Sequence, residues 1–168
     1  GSGKTEVYLR AIRRALEQGK RGLVLVPEIS LTPQTVLRFK QALPGKKVAV
    51  LHSMLTPNER TSQWRDIQEA KADLVIGARS AIFAPLPDLG LIVVDEEHES
   101  SYKQDTSPRY HARDVAVMRG KLLGATVILG SATPSLESLH NANTGKYGLL
   151  ELPRRATTHG LPRVHVVD

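Results

Sequence analysis

The chain has 168 residues, 40% of them hydrophobic, which fits one domain with a buried core. Its net charge of +6 favours polyanionic partners without selecting among them. The sequence contains no cysteine, which excludes disulfides and thiolate metal ligands within it, and no apolar run approaches the roughly 20 residues that span a bilayer. Since no signal segment is recognisable either, we expect a cytoplasmic protein without a membrane partner.

Five short runs of apolar, mostly β-branched residues predict strands. They occupy residues 23–27, 48–52, 74–77, 91–95 and 126–130. Each is nearly continuous in hydrophobicity, as expected of strands buried on both faces of a parallel sheet. The segments between them have helical spacing, beginning with an apolar stripe over residues 7–16 that Gly19 ends. Alternating strands and helices predict an α/β fold, a mainly parallel sheet with helices on both faces.

Three Thr-Pro pairs mark predicted helix starts, because a threonine hydroxyl caps a helix and proline suits its first turn. The capping threonines are Thr32, Thr56 and Thr133, and Glu59 completes a capping box with Thr56. From residue 153 onward the helical periodicity is lost. We therefore predict one lobe over residues 1–152 and a linker over residues 153–168 that leads to a further domain.

GSGKT, at the start of the chain, matches the last five positions of the phosphate-loop pattern G-x-x-x-x-G-K-[ST]. The pattern's first glycine and its strand do not precede it, so we expect a lobe that lacks its first strand. A helical pattern follows at once, so Gly1, Ser2 and Gly3 would cradle the phosphates of ATP at a helix N-terminus. Lys4 would reach the β- and γ-phosphates, and the Thr5 hydroxyl would ligate Mg²⁺. The alternative is an unrelated Gly-Ser-Gly before an ordinary Lys-Thr.

LIVVDEEHES, residues 91–100, places acidic residues at the carboxyl end of a predicted strand, where open α/β sheets bind ligands. Asp95 would hold Mg²⁺, and Glu96 would position and deprotonate the attacking water. The alternative is an acidic strand end followed by a solvated turn.

Polar residues follow three further predicted strands. In TVILGSATPSLE, Gly130, Ser131 and Thr133 would lie beside the γ-phosphate, although the segment alone resembles a strand entering a capped helix. Residues 27–34 and 77–83 carry Pro27, Arg79 and Ser80, in loops suited to contact a nucleic-acid backbone. Plain capped turns are the alternative for both loops.

Seven segments, in this order and spacing, resemble the motifs of superfamily 2 helicases, and specifically of the bacterial primosomal replication-restart helicases. They are GSGKT, LVPEISLTPQ, LHSMLTPNERTSQW, GARSAIFAPL, VVDEEHESSYKQ, RYHARD and LGSATPS. The resemblance covers essentially the whole chain. It implies the first RecA-like P-loop NTPase lobe of an ATP-dependent 3′→5′ DNA helicase, which acts at stalled or collapsed replication forks and restarts replication by primosome assembly.

The resemblance also implies residue roles. His98, with Ser131 and Thr133, would couple the nucleotide site to DNA. Residues 100–113 match the family's aromatic-rich loop, which couples single-stranded DNA to hydrolysis. Its candidate DNA contacts are Tyr102, Lys103, Arg109, Tyr110 and His111. The alternative is a surface loop whose tyrosines pack locally, and we expect His52 and Trp64 to be packing residues.

The implied cofactors are ATP and Mg²⁺, and the family's zinc belongs to a cysteine-rich region that this sequence does not contain. The implied partners are single-stranded and forked DNA, primosome and replication-restart proteins, and single-strand binding protein, in a nucleoid-associated setting. Because the second motor lobe and its arginine finger are also absent from the sequence, we expect the isolated chain to show at most weak ATP binding and negligible hydrolysis or unwinding. Because the first strand is missing, we expect its stability to be marginal. Two alternatives remain: a non-catalytic, ATP-sensing DNA-binding module, or another superfamily 2 translocase.

Overall fold

The computed structural model describes residues 3–153. Gly1, Ser2 and all but the first residue of the predicted linker lie outside the described residues. The strands are β1 (Arg21–Leu25), β2 (Val48–Leu51), β3 (Leu74–Gly77), β4 (Leu89–Asp95), β5 (Lys103–Gln104), β6 (Tyr110–His111) and β7 (Thr126–Gly130). The α-helices are α1 (Lys4–Glu17), α2 (Pro33–Ala42), α3 (Pro57–Gln68), α4 (Ala112–Leu123) and α5 (Leu136–Asn143). Short 3₁₀ turns cover Glu28–Ser30, Arg79–Phe83 and Ser100–Tyr102.

Five parallel strands form one sheet in the order β2-β3-β1-β4-β7. All five predicted strands are confirmed, with β1 displaced by two residues toward the N-terminus and β4 beginning two residues earlier than predicted. In the register of β4 and β7, Asp95 lies opposite Gly130, so the two strands end together at the carboxyl edge of the sheet. β5 and β6 form a separate antiparallel hairpin that follows this edge.

Helices cover both faces of the sheet, as predicted, because successive strand residues point to opposite sides. On β1, Val24 packs in a core with Ile12 of α1 and Phe39 of α2. Its neighbour Leu23 packs in a second core, with Ile67 of α3 on the other face. The continuous hydrophobicity of the central strands follows from this double coverage.

The predicted capping residues are confirmed for α2 and α3 and corrected for α5. Thr32 accepts a hydrogen bond from the amide of Thr35, and Thr56 forms the predicted reciprocal capping box with Glu59. The cap of α5 is Ser135, two residues after Thr133, because the helix begins only at Leu136 and the Ser135 hydroxyl accepts from the Ser138 amide. Thr133 lies before the helix and faces the site described below.

Trp64 corrects a second expectation. Its side chain is 37% exposed on α3 and lines a shallow surface cavity, so it is not a packing residue of the core. His52, just after β2, is half-buried. Within residues 3–153, no helix combines the length and apolar character that a membrane crossing requires.

Candidate functional site

The candidate site lies at the carboxyl edge of the sheet, where α1 begins and β4 and β7 end. Gly3 precedes α1 with a φ of 86°, a left-handed conformation that glycine adopts without steric cost. The first turn of α1 carries Lys4, whose Nζ lies 2.6 Å from Oε1 of Glu96, 92 residues further along the chain. Two of the three predicted catalytic groups, Lys4 and Glu96, therefore form an ion pair.

Glu96 follows β4 directly and has an unusual backbone conformation. Its φ is 47°, in the left-handed region that non-glycine residues rarely adopt, and its carbonyl accepts a hydrogen bond from the amide of Glu99. Such conformations concentrate at functional sites, where the surrounding structure holds them in place. The sharp turn at Glu96 brings its carboxylate back toward α1.

Asp95, the last residue of β4, is held by two tyrosines. The Tyr8 hydroxyl of α1 donates to Oδ1 of Asp95 at 2.8 Å, and the Tyr102 hydroxyl donates to the Asp95 carbonyl at 2.7 Å. Burial raises the pKa of the Asp95 carboxyl, and the negative charge of Glu96 acts in the same direction. Asp95 is thus a partly desolvated carboxylate of fixed orientation.

A cavity of about 120 Å³ opens beside Asp95, between α1, α2 and the end of β1. Thr5 and Asp95, the predicted Mg²⁺ ligands, both line it, together with Tyr8, Ser30, Thr35 and Arg38. Within residues 3–153, no three His, Cys, Asp or Glu side chains cluster as a preformed metal centre. One carboxylate and one hydroxyl nevertheless fit Mg²⁺, since this ion takes few protein ligands and completes its shell with water and phosphate oxygens.

The structure brings the three predicted coupling residues together. The Oγ of Ser131 lies 2.6 Å from Nδ1 of His98, and the Oγ1 of Thr133 lies 3.4 Å from Nε2 of the same ring. Nδ1 of His98 is also 3.7 Å from Oε2 of Glu96. A continuous chain of polar contacts therefore links Lys4 to the segment after β7.

Glu97 forms a buried polar network that the sequence did not indicate. Its side chain is 1% exposed and accepts hydrogen bonds from the amide and hydroxyl of Ser135 at 2.7 and 3.0 Å, and from the hydroxyl of Ser138 at 2.9 Å. Nη1 of Arg113, on α4, lies 3.3 Å from the same carboxylate. Glu97 thereby joins the turn after β4 to α4 and to the start of α5.

The predicted DNA-contacting residues occupy two different settings. Lys103 and Arg109 are exposed on the hairpin segment, and Ser80 is exposed in the turn after β3. Arg79 donates from Nη1 to the carbonyl of Lys103 at 2.6 Å, so its guanidinium is bonded to the main chain of the hairpin. Tyr110 is half-buried, and its ring packs edge-on against Phe83 at a centroid distance of 5.0 Å.

Two of the predicted DNA-contacting side chains are buried. Tyr102 is fully buried with its hydroxyl bonded to Asp95, so its ring presents no face on which a base could stack. Pro27, two residues after β1, is also buried. For Tyr102 the structure agrees with the alternative stated above, in which the loop's tyrosines pack locally.

His111 has a local structural task. Its Nδ1 accepts a hydrogen bond from the amide of Arg113 and caps α4. Burial, reinforced by the positive charge of Arg113, lowers the pKa of the imidazole and favours the neutral ring that this hydrogen bond needs. The side chain remains half-buried beside the hairpin.

Sequence reasoning assigned no role at the site to Tyr8, Glu97, Arg113 and Phe83. Tyr8 had a usable signal, since it follows Lys4 by four residues and so shares its helix face. Glu97 had a weaker signal, as a third acidic residue after the strand. No local pattern identified Arg113, because the two partners that tie it to the site, Glu97 and Ser135, are 16 and 22 residues away.

A family model of the DEAD/DEAH box helicases matches residues 1–142, so the chain belongs to the DEAD/DEAH box helicase family. Along its whole length it is similar to proteins named replication restart protein PriA. It is 54% identical over 168 residues to the protein of Bacillus subtilis (strain 168) and 55% identical over 169 residues to that of Chlamydia pneumoniae. The alignments cover all of this chain but 21% and 22% of those relatives, so it spans about a fifth of their length. The predicted resemblance to replication-restart helicases is confirmed.

Solved structures support the predicted RecA-like lobe. A structure of RecG bound to a three-way DNA junction aligns with a TM-score of 0.61 and 26% identity, over 86% of this chain and 18% of that chain. The helicase MrfA bound to DNA and AMPPNP aligns with a TM-score of 0.59 over 86% of this chain and 22% of that one. At 17% identity, MrfA supports the fold alone.

Proposed function

We propose that this chain is the ATP-binding motor lobe of a DNA helicase that restarts replication at stalled or collapsed forks, moving 3′→5′ along DNA. The observation that carries the proposal is the convergence of Lys4, Asp95 and Glu96 at one edge of the sheet. A phosphate-binding lysine and two carboxylates of different environment are the groups that ATP hydrolysis requires. The similarity to PriA proteins along the whole chain supports the assignment to replication restart.

The ion pair between Lys4 and Glu96 suggests how these residues act. The phosphates of ATP would replace the Glu96 carboxylate as the partner of Lys4, because a triphosphate carries more negative charge than one carboxylate. Glu96 would then be released to orient the attacking water and accept its proton. Bound Mg²⁺, held by Thr5 and Asp95, would supply neutralisation of the charge that develops on the phosphate oxygens.

The coupling to DNA would run through His98, Ser131 and Thr133, which lie within contact distance of one another and of Glu96. On the DNA side, the exposed cations Lys103 and Arg109 would contact phosphates, and the exposed Ser80 in the turn after β3 would add a polar contact. Such contacts orient a strand without reading its sequence, which suits a motor that must act on any sequence.

Several features of the full-length protein belong to this proposal through the family resemblance. Its substrates would be single-stranded and forked DNA, and its partners would be primosome and replication-restart proteins and single-strand binding protein. The protein would act in the cytoplasm, at the nucleoid. The lobe over residues 1–152 would be joined to a second motor lobe by residues 153–168, and zinc would bind elsewhere in the full-length chain.

ATP hydrolysis by the full-length protein, with and without forked DNA, tests the proposal. We expect strong stimulation by the fork in the wild type and a loss of hydrolysis, with ATP binding retained, in Glu96→Gln. Glu17→Gln, an exposed carboxylate at the end of α1, is the matched control and should hydrolyse ATP normally.

Other outcomes would favour the alternatives. ATP binding without hydrolysis in the wild type would indicate a non-catalytic sensing module, whereas hydrolysis that survives Glu96→Gln would overturn the proposed role of Glu96. Stimulation by RNA rather than forked DNA would indicate another superfamily 2 translocase. Translocation measured on strands blocked at either end would test the 3′→5′ direction.

A further inference from the structure

Tyr8 lies on the helix that follows the phosphate loop, one turn after Lys4, and only 3% of it is exposed. Its hydroxyl donates to Oδ1 of Asp95 across 87 residues of sequence, at 2.8 Å. A tyrosine hydroxyl is protonated at physiological pH, so it serves the carboxylate as a hydrogen-bond donor.

Gly130 makes this contact sterically possible. It ends β7 directly opposite Asp95 in the sheet register. A Cβ atom at this position would overlap the Tyr8 hydroxyl and lie 2.7 Å from Cζ of the ring. Only glycine leaves the phenol room to reach the carboxylate.

The main chain of Asp95 has a separate support. The buried Tyr102 hydroxyl donates to its carbonyl from the 3₁₀ turn that precedes the hairpin. The two tyrosines thus act on different parts of one residue: Tyr102 on the backbone position, and Tyr8 on the orientation of the carboxylate. No other side chain among the described residues donates a hydrogen bond to the Asp95 carboxylate.

We propose that Tyr8 is a positioning residue for the magnesium site: it fixes one carboxylate oxygen of Asp95 and thereby orients the other toward the cation. Gly130 contributes to the same arrangement, because the absence of a side chain there leaves space for the Tyr8 ring. The inference rests on the proposed function, in which Asp95 is an Mg²⁺ ligand. Hydrogen bonds to a ligating carboxylate matter because they set its direction before the metal arrives, and their removal typically lowers metal affinity about 10- to 100-fold.

The test is the Mg²⁺ dependence of nucleotide binding in the full-length protein. A fluorescent ATP analogue is titrated at increasing Mg²⁺ and, separately, in EDTA. For Tyr8→Phe we expect the Mg²⁺ concentration at half-maximal binding to rise about tenfold, with binding in EDTA unchanged. Tyr147→Phe, which removes a hydroxyl from a half-buried tyrosine that follows α5, is the matched control and should behave as the wild type.

Each further outcome has a defined meaning. Asp95→Asn is measured in parallel: if it shifts the Mg²⁺ midpoint while Tyr8→Phe does not, the positioning role is overturned and the proposed function stands. Equal loss of binding with and without Mg²⁺ in Tyr8→Phe would assign Tyr8 a packing role only and also overturn the inference. If nucleotide binding by the wild type does not depend on Mg²⁺ concentration, the proposed role of Asp95 is overturned instead.

Discussion

Glu97 carries the most heavily bonded buried carboxylate of the described chain. Four donors surround it: the amide and hydroxyl of Ser135, the hydroxyl of Ser138 and the guanidinium of Arg113. Removing one partner of a buried ion pair typically lowers the free energy of unfolding by about 3–5 kcal/mol, because the remaining charge stays buried without compensation. Glu97 therefore fixes the turn after β4, on which Glu96 and His98 also depend.

We predict that Glu97→Gln lowers the free energy of unfolding at pH 7 by about 3 kcal/mol, measured by urea denaturation. Glutamine keeps the size of the side chain but not the charge that pairs with Arg113. Glu137→Gln removes an exposed carboxylate 3.6 Å from the same arginine and is the matched control, with a change below about 1 kcal/mol. Equal effects of the two substitutions would contradict the prediction.

The effect of Glu97→Gln should also depend on pH. Burial acts to raise the pKa of Glu97, but the hydrogen bonds from Ser135, Ser138 and Arg113 outweigh it and hold the pKa below its usual value. A lowered pKa in the folded state means that the carboxylate stabilises the fold above the unfolded value of about 4.3, and that this stabilisation is lost as the pH falls through the folded pKa. The difference in free energy of unfolding between wild type and Glu97→Gln should therefore become smaller below about pH 4. A gap that is constant from pH 7 to pH 3.5 would count against this origin.

At the scale of elements, α3 depends on its capping box. The helix is polar, and Ile67 is its one buried residue. Packing therefore contributes little to the stability of α3, and the cap contributes a larger share. Thr56 accepts from the Glu59 amide at 3.3 Å, and the Glu59 carboxylate accepts from the Thr56 amide at 2.9 Å.

We predict that Thr56→Ala destabilises the protein by about 1 kcal/mol, because the amide of Glu59 loses its partner. Thr61→Ala, in the exposed body of the same helix, is the control and should be neutral or slightly stabilising, since alanine favours helices more than threonine does. Urea denaturation of both variants measures the difference. A loss in Thr61→Ala as large as that in Thr56→Ala would mean that helix composition, and not the cap, governs α3.

At the scale of the whole molecule, the two edges of the sheet differ in role. The carboxyl edge carries the candidate site and leads to the hairpin with the exposed Lys103 and Arg109, whereas Lys20 and Lys121 are exposed near the amino edge. The net charge of +6 therefore does not by itself locate a DNA surface. The distribution of these cations over the fold distinguishes the two edges.

We predict that Lys103→Ala/Arg109→Ala in the full-length protein weakens single-stranded DNA binding and makes it less sensitive to salt. If both side chains contact phosphates, the slope of log affinity against log salt should become shallower by about 1.4, at about 0.7 for each contact. Lys20→Ala/Lys121→Ala removes the same charge from the opposite edge and should leave the slope unchanged. Fluorescence anisotropy over a salt series measures both, and equal changes would show that overall charge governs binding.

Strand positions, helix positions and two of the three predicted caps were predictable because their signals are local. A buried strand is a short apolar run, and a cap is a hydroxyl at a fixed offset from its helix. The strand order β2-β3-β1-β4-β7 had no such signal. Ser135, and not Thr133, caps α5. The amide and hydroxyl of Ser135 also donate hydrogen bonds to Glu97, 38 residues away, which no local pattern indicates.

The sequence by itself determined the lysine of GSGKT, the acidic pair after β4 and the alternating α/β architecture, because each follows from a pattern of residues close together in the chain. Only the tertiary structure decided that Tyr102 and Pro27 are buried, that His111 caps α4, and that Tyr8 bonds Asp95. The physical reason is that burial and long-range hydrogen bonds arise when segments far apart in sequence pack together, as Tyr8 and Asp95 do across 87 residues. Local pattern predicts which groups are present, and packing decides which of them meet.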